Sequence, residues 1–149
     1  MKPEFRVHAR IARPVSTVFE AVADPAELSA YFTTGGASGR LQAGSTVSWD
    51  FADFPGAFPV EVIEMVPDAR IVLRWGAEEP PQSRTTVTMT FEPLDGGART
   101  LVSIAEEGWP STDDGLKASY GNCMGWSQML AAMKMWVEHR INLREGMYA

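Results

Sequence analysis

The feature that most limits what this chain can fold into is a change of hydrophobic period near residue 112. Before it, apolar residues recur mostly at every second position in short runs; after it, they recur at every third or fourth. Val47, Trp49 and Phe51 alternate with Ser48 and Asp50, and Val87, Met89 and Phe91 alternate with Thr86, Thr88 and Thr90. Ile71, Leu73 and Trp75 share one face of another run. Pro67-Asp68-Ala69 joins the runs 60–66 and 70–76, and Asp95-Gly96-Gly97 turns the chain into a last strand through Val102 and Ile104. Residues 4–12 form a further strand, with Phe5, Val7, Ala9 and Ile11 opposed to Arg6, His8 and Arg10. All connections between strands are local, so the sheet is expected to be antiparallel, with six strands and a seventh near Gly39–Leu41.

Between the first strand and the rest lie two short helical stretches. Ser16 can cap the first, which carries Val18, Phe19 and Val22; Asp24 can cap the second, with Pro25 at its first position. It runs to about Tyr31 and Phe32. From Thr112, Asp113 or Asp114 a long helix extends to about Asn142, placing Leu116, Tyr120, Cys123, Trp126, Leu130, Met133, Val137 and Ile141 on one arc. Unbroken from Leu116 to Ile141, it would span about 39 Å. Gly121 and Gly125 each cost a helix interior about 1 kcal/mol, so they mark either a close approach to the sheet or a bend. An antiparallel sheet with one apolar face needs a cover, and this helix can supply it. The expectation is an α+β domain over residues 1–149, a curved sheet wrapped around the C-terminal helix.

Composition narrows the functions. The net charge of −6 argues against binding a nucleic-acid backbone, which needs clustered Lys and Arg. One cysteine excludes an internal disulfide and a multi-Cys zinc site. No apolar run approaches the ~20 residues of a membrane span, and the N-terminus lacks the apolar segment of a signal peptide. A cytoplasmic protein is expected.

Four segments taken together resemble a known superfamily. They are Ile11–Phe32, with Pro14, Asp24-Pro25 and the pair Tyr31-Phe32; Val62–Trp75, with Pro67 and a closing tryptophan; Gly97–Trp109; and Gly125-Trp126. In this order they are similar to the START/Bet v 1-like superfamily, in the branch related to the activator of Hsp90 ATPase. Members usually carry tryptophan where Tyr31 stands. The resemblance implies the helix-grip fold and a hydrophobic cavity between sheet and long helix. It leaves the occupant open, because this fold hosts carriers, cyclases, sensors and chaperone regulators.

Few residues carry chemistry. His8 falls on the solvent side of its strand and His139 on the polar side of the helix, with no serine placed beside either for a triad. Gly35–Gly39 leads toward a strand instead of opening a helix, so it is a turn at the cavity mouth and not a phosphate loop. Cys123 faces the sheet by helical phase. Glu78-Glu79-Pro80-Pro81 and Asp113-Asp114 are solvated turns and caps. Glu106 shares strand parity with Val102 and Ile104: it is either a strand-end residue reaching solvent or a carboxylate at the cavity, and Glu64 poses the same question. Tyr120 is the expected polar handle, since an apolar ring with a hydroxyl needs a partner.

The cavity is expected to be lined by Phe32, Trp49, Phe51, Trp75, Met89, Glu106, Tyr120, Met124 and Trp126, an adaptable surface suited to an apolar or amphipathic small molecule. No cofactor or metal is expected. A cyclase- or hydratase-type enzyme using Glu106 or Tyr120 is one alternative. A chaperone partner, implied by the family name, is another; it ranks lower because the named activator adds an N-terminal domain, whereas residues 1–3 precede the first strand here. Trp136 and Met135 fall outside the apolar arc, so a homodimer through that end of the helix is also expected.

Overall fold

A computed structural model describes residues 1–76 and 83–148, and the acidic stretch Glu78–Pro81 lies outside them. The chain runs β1 (Glu4–Ile11), α1 (Val15–Ala23), α2 (Pro25–Tyr31), β2 (Gly36–Ser38), β3 (Thr46–Phe51), β4 (Phe54–Val66), β5 (Arg70–Trp75), β6 (Thr85–Leu94), β7 (Arg99–Glu107) and α3 (Asp113–His139). The strands form one antiparallel sheet in the order β1-β7-β6-β5-β4-β3-β2. Only the return of β1 beside β7 is non-local. This is the helix-grip arrangement, α+β with seven strands.

Period-2 alternation fixes which side chains face α3. Met65, Ile71, Met89, Ile104 and Val7 form one row across β4, β5, β6, β7 and β1. A parallel row runs Val62, Leu73, Val87, Glu106 and Phe5. The carboxylate of Glu106 therefore stands where the pattern calls for an aliphatic side chain. Register shifts between Val62 and Glu64 and between Trp49 and Phe51 add the local twist that bends the sheet around the helix.

Several local expectations shift. The N-cap of α1 is Pro14, without a side-chain cap; Ser16 lies within the first turn. Asp24 does cap α2, accepting from Ala26 N at 2.9 Å. The seventh strand lies at Gly36–Ser38 and not at Gly39–Leu41, so the glycine-rich stretch is itself a sheet edge paired with β3. Tyr31 is buried and donates its hydroxyl to Ala21 O at 2.8 Å; burial pushes its pKa well above the ordinary value, which marks it as structural.

The helix α3 is continuous through Gly121 and Gly125, and a Cβ built on either would meet nothing within 4 Å. Neither glycine is there for close packing. Gly115 is: a Cβ there would lie 2.1 Å from Pro110 O, while its N–H caps onto Thr112 Oγ1 at 3.0 Å. At the far end the expected apolar dimer patch does not form. Met135 and Trp136 are half-buried, and the Trp136 indole donates to Glu27 at 2.8 Å with the Arg140 guanidinium over its ring. Both histidines are exposed, and Cys123 is half-buried. No described helix is long and apolar enough to cross a membrane.

The contrast between these glycines is testable by thermal melts. Gly115→Ala should destabilise by about 1–3 kcal/mol, because the obstructing atom is backbone and cannot swing away. Gly121→Ala should stabilise by up to about 1 kcal/mol, since it adds helix propensity and meets nothing. Equal effects of one sign would contradict the packing described.

Candidate functional site

The site grows from one diagonal across the sheet. Thr85 and Val87 share a face of β6; Val87 lies opposite Glu106, and Thr85 lies opposite Trp75 of β5. Trp75, Thr85 and Glu106 are thus neighbours on the concave surface. Above them, Asn122 and Trp126 are four residues apart on α3 and share its inner face.

Glu106 is 1% exposed. Its carboxylate accepts from Trp75 Nε1 at 2.9 Å, Thr85 Oγ1 at 2.6 Å and Trp126 Nε1 at 2.7 Å. Asn122 Nδ2 sits against both of its oxygens, at 3.2 and 3.0 Å. All four partners are neutral. An isolated buried carboxylate would be costly, but four converging dipoles replace its water. Hydrogen bonds to a charged group are worth about 1.5–3 kcal/mol each against that cost.

Two cavities open between the first half of α3 and the sheet. The larger, about 590 Å³, is bounded by Phe58, Pro59, Trp75, Ser83, Thr85, Trp109, Ala118 and Asn122. The smaller, about 400 Å³, is bounded by Phe32, Phe51, Phe54, Trp75, Asn122, Met124, Trp126, Arg144 and Tyr148, with Gly121 and Gly125 in its wall. Trp75 and Asn122 border both. Rings continue behind them: Trp75 contacts Trp126 at 5.4 Å, Phe58 at 5.6 Å and Trp49 at 5.8 Å between centroids, and Phe32 contacts Trp126 at 5.4 Å.

Of the residues expected at the cavity, Phe32, Phe51, Trp75, Met124 and Trp126 border the smaller one. Trp49 and Met89 are fully buried; Trp49 backs Trp75, and Met89 belongs to the aliphatic core. Glu106 lies beneath both cavities, joined to their walls through its donors. Tyr120 is 64% exposed and borders neither cavity, so it does not supply the polar handle. The expected arc holds for Trp126, Leu130, Met133 and Val137, but in the first half of α3 the inward line is Gly115, Ser119 and Asn122 and not Leu116, Tyr120 and Cys123. Glu64 is half-exposed beside Arg70, far from this chemistry.

Sequence reasoning missed Asn122, Thr85, Phe58 and Arg144. Thr85 and Phe58 each extend an apolar parity by one step, to Val87 and Val60. Arg144 had no such signal. It follows α3 and forms a two-bonded pair with Asp53 of the β3–β4 turn, at 2.8 and 2.9 Å, beneath the Tyr148 ring. The pair folds residues 140–148 back over the smaller cavity, where Tyr148 meets Phe54.

Comparison with known proteins now has a geometry to stand on. The family model of activator of Hsp90 ATPase homolog 1-like protein matches residues 12–138. The chain belongs to this family. No curated protein matches its sequence. Among solved structures it is similar to protein SSP2350 from Staphylococcus saprophyticus, at 24% identity and TM-score 0.79, covering 95% of this chain and 96% of that one. It is also similar to the Aha1 dimer from Colwellia psychrerythraea, at 19% identity and TM-score 0.74, covering 91% and 96%. The di-domain ARO/CYC BexL from the BE-7585A biosynthetic pathway matches at 19% identity and TM-score 0.76, covering 91% of this chain and 46% of BexL. At these identities the likeness is one of fold.

Two outcomes test the site. Glu106→Gln replaces one acceptor oxygen by an NH₂ facing an indole or hydroxyl donor, so at least one buried donor loses its partner. A loss of about 1–3 kcal/mol is expected, read as a lower urea midpoint with unchanged slope. The second concerns the tail. The hydrogen bonds from Arg144 hold the Asp53 carboxyl below its ordinary pKa. Its contribution to stability is therefore complete above the unfolded value, near 4, and is lost as pH falls through the lower folded value. Amide exchange in residues 141–148 should be slow at neutral pH and should speed up in Asp53→Asn, with the sheet unaffected.

Proposed function

We propose that this chain binds an apolar or amphipathic small molecule in the paired cavities between α3 and the sheet, without obligatory chemistry of its own. The observation that carries the reading is the space itself. Cavities of about 590 and 400 Å³ fall in the range of small-molecule sites, about 300–1,000 Å³, and their walls are mainly aromatic with a few convergent polar groups. Gly121 and Gly125 support it: each costs helix stability, and neither permits a contact that a side chain would block. What they leave is room.

The relation to BexL, an aromatase/cyclase by name, fits a ring-containing occupant. A cyclase or hydratase reading draws less support. Glu106 has both oxygens engaged, and Tyr120 lies outside the cavities. A chaperone-regulating reading rests on the family's name, and the same experiment discriminates it.

An occupant should raise the melting temperature, because the unfolded chain has no cavity. At concentrations ~100-fold above the dissociation constant this amounts to about 2.7 kcal/mol, or several degrees in a domain of this size. Trp75 and Trp126 should report the same event by fluorescence. Gly125→Leu should fill the smaller cavity and abolish the shift for ligands seated there while leaving the fold intact. A flat response across fatty acids, polyketides and aromatic metabolites, together with stimulation of an Hsp90 ATPase, would instead favour the chaperone reading.

A further inference from the structure

We infer that the cavities select a ligand that carries a hydrogen-bond donor, a hydroxyl or ring N–H on a flat apolar body, and that Asn122 reads it. This rests on the binding reading above and adds the polarity of the ligand. Among the described residues, the polar side chains on the wall of the larger cavity are Ser83, Thr85 and Asn122. Ser83 donates its hydroxyl to Gly108 O at 3.2 Å, and Thr85 donates its own to Glu106 at 2.6 Å. The indole N–H groups of Trp75 and Trp126 point to the same carboxylate.

Asn122 completes the pattern. Its amide nitrogen lies against both oxygens of Glu106, and a planar amide held this way turns Oδ1 away from the carboxylate. The reverse assignment would press oxygen against oxygen at about 3 Å, so the network fixes the orientation. Oδ1 accepts no hydrogen bond from any described residue, and it is not sealed in the interior. It belongs to a side chain bordering both cavities. Glu106 thus acts as an internal sink for donors, and what Asn122 leaves facing the space is an acceptor oxygen. Trp109, stacked on Phe5 at 5.7 Å, has no protein acceptor for its indole N–H among the described residues, so the acceptor character is local to Asn122.

A ligand donor meeting Oδ1 would gain one hydrogen bond, whereas an ether or methylated nitrogen would leave that oxygen unpaired and dry. The expected preference is about three- to tenfold. Calorimetric titration of the full chain with two matched pairs measures it: 2-naphthol against 2-methoxynaphthalene, and indole against 1-methylindole. The donor-bearing member of each pair should bind more tightly by that factor, and Asn122→Ala should bring both ratios to about one. Equal binding within both pairs would overturn the inference while leaving the binding reading intact. A preference that survives in a folded Asn122→Ala would overturn the assignment to Asn122. If that variant does not fold, the two wild-type ratios still decide whether the site selects donors. Failure of all four compounds to bind would overturn this inference, while the binding reading is decided by the broader ligand screen above.

Discussion

A single buried carboxylate organises the space between sheet and helix. Glu106 sits in a row of aliphatic side chains, at a point where α3 stands away from the strands beneath it. An aliphatic residue there would call for a helix pressed onto the sheet and a filled interior. A carboxylate instead requires donors, and they come from β5, β6 and two successive turns of α3. The polar cluster thus acts as a spacer, fixing the first half of α3 at a distance while its second half packs by ordinary apolar contact through Met129, Leu130, Met133 and Val137.

This division explains what could be read in the sequence. The strands, their local antiparallel pairing and the long helix followed from period-2 and period-3.6 patterns, because those patterns record burial against an apolar partner. The Val102, Ile104, Glu106 parity was equally legible, but parity alone left open whether the carboxylate reached solvent or the inner face. The first half of α3 was misread for a physical reason. Where the partner is a polar spacer and an open cavity, the inward line consists of Gly115, Ser119 and Asn122, and a periodicity search scores it as solvent-facing. Tyr120, apolar by its ring, then drew the arc outward, although it is 64% exposed. Arg144 and Asp53 were illegible because a pair formed between a tail and a hairpin turn leaves no periodic trace.

The tail shows how the smaller cavity is closed without a large apolar interface. Tyr148 and Phe54 are both substantially exposed, and their contact alone would hold the last residues weakly. The two-bonded Arg144–Asp53 pair, nearly buried on both sides, supplies direction: the planar guanidinium fixes the angle at which residues 140–148 cross the β3–β4 turn. Its burial makes it costly to break from one side only.

The glycines of α3 complete the argument from stability. Helices seldom keep two interior glycines without a packing need, since each could become alanine and gain about 1 kcal/mol. Gly115 has that need, set by the carbonyl of Pro110. Gly121 and Gly125 do not; they occupy the wall of the smaller cavity, one helical turn apart, flanking the Asn122 that borders both spaces. A methyl group at either would project along that wall and narrow it. The helix therefore gives up stability at the positions where bulk would cost volume, and keeps it where bulk would be harmless. Such a distribution fits the proposed binding, and it is independent of the identity of the ligand.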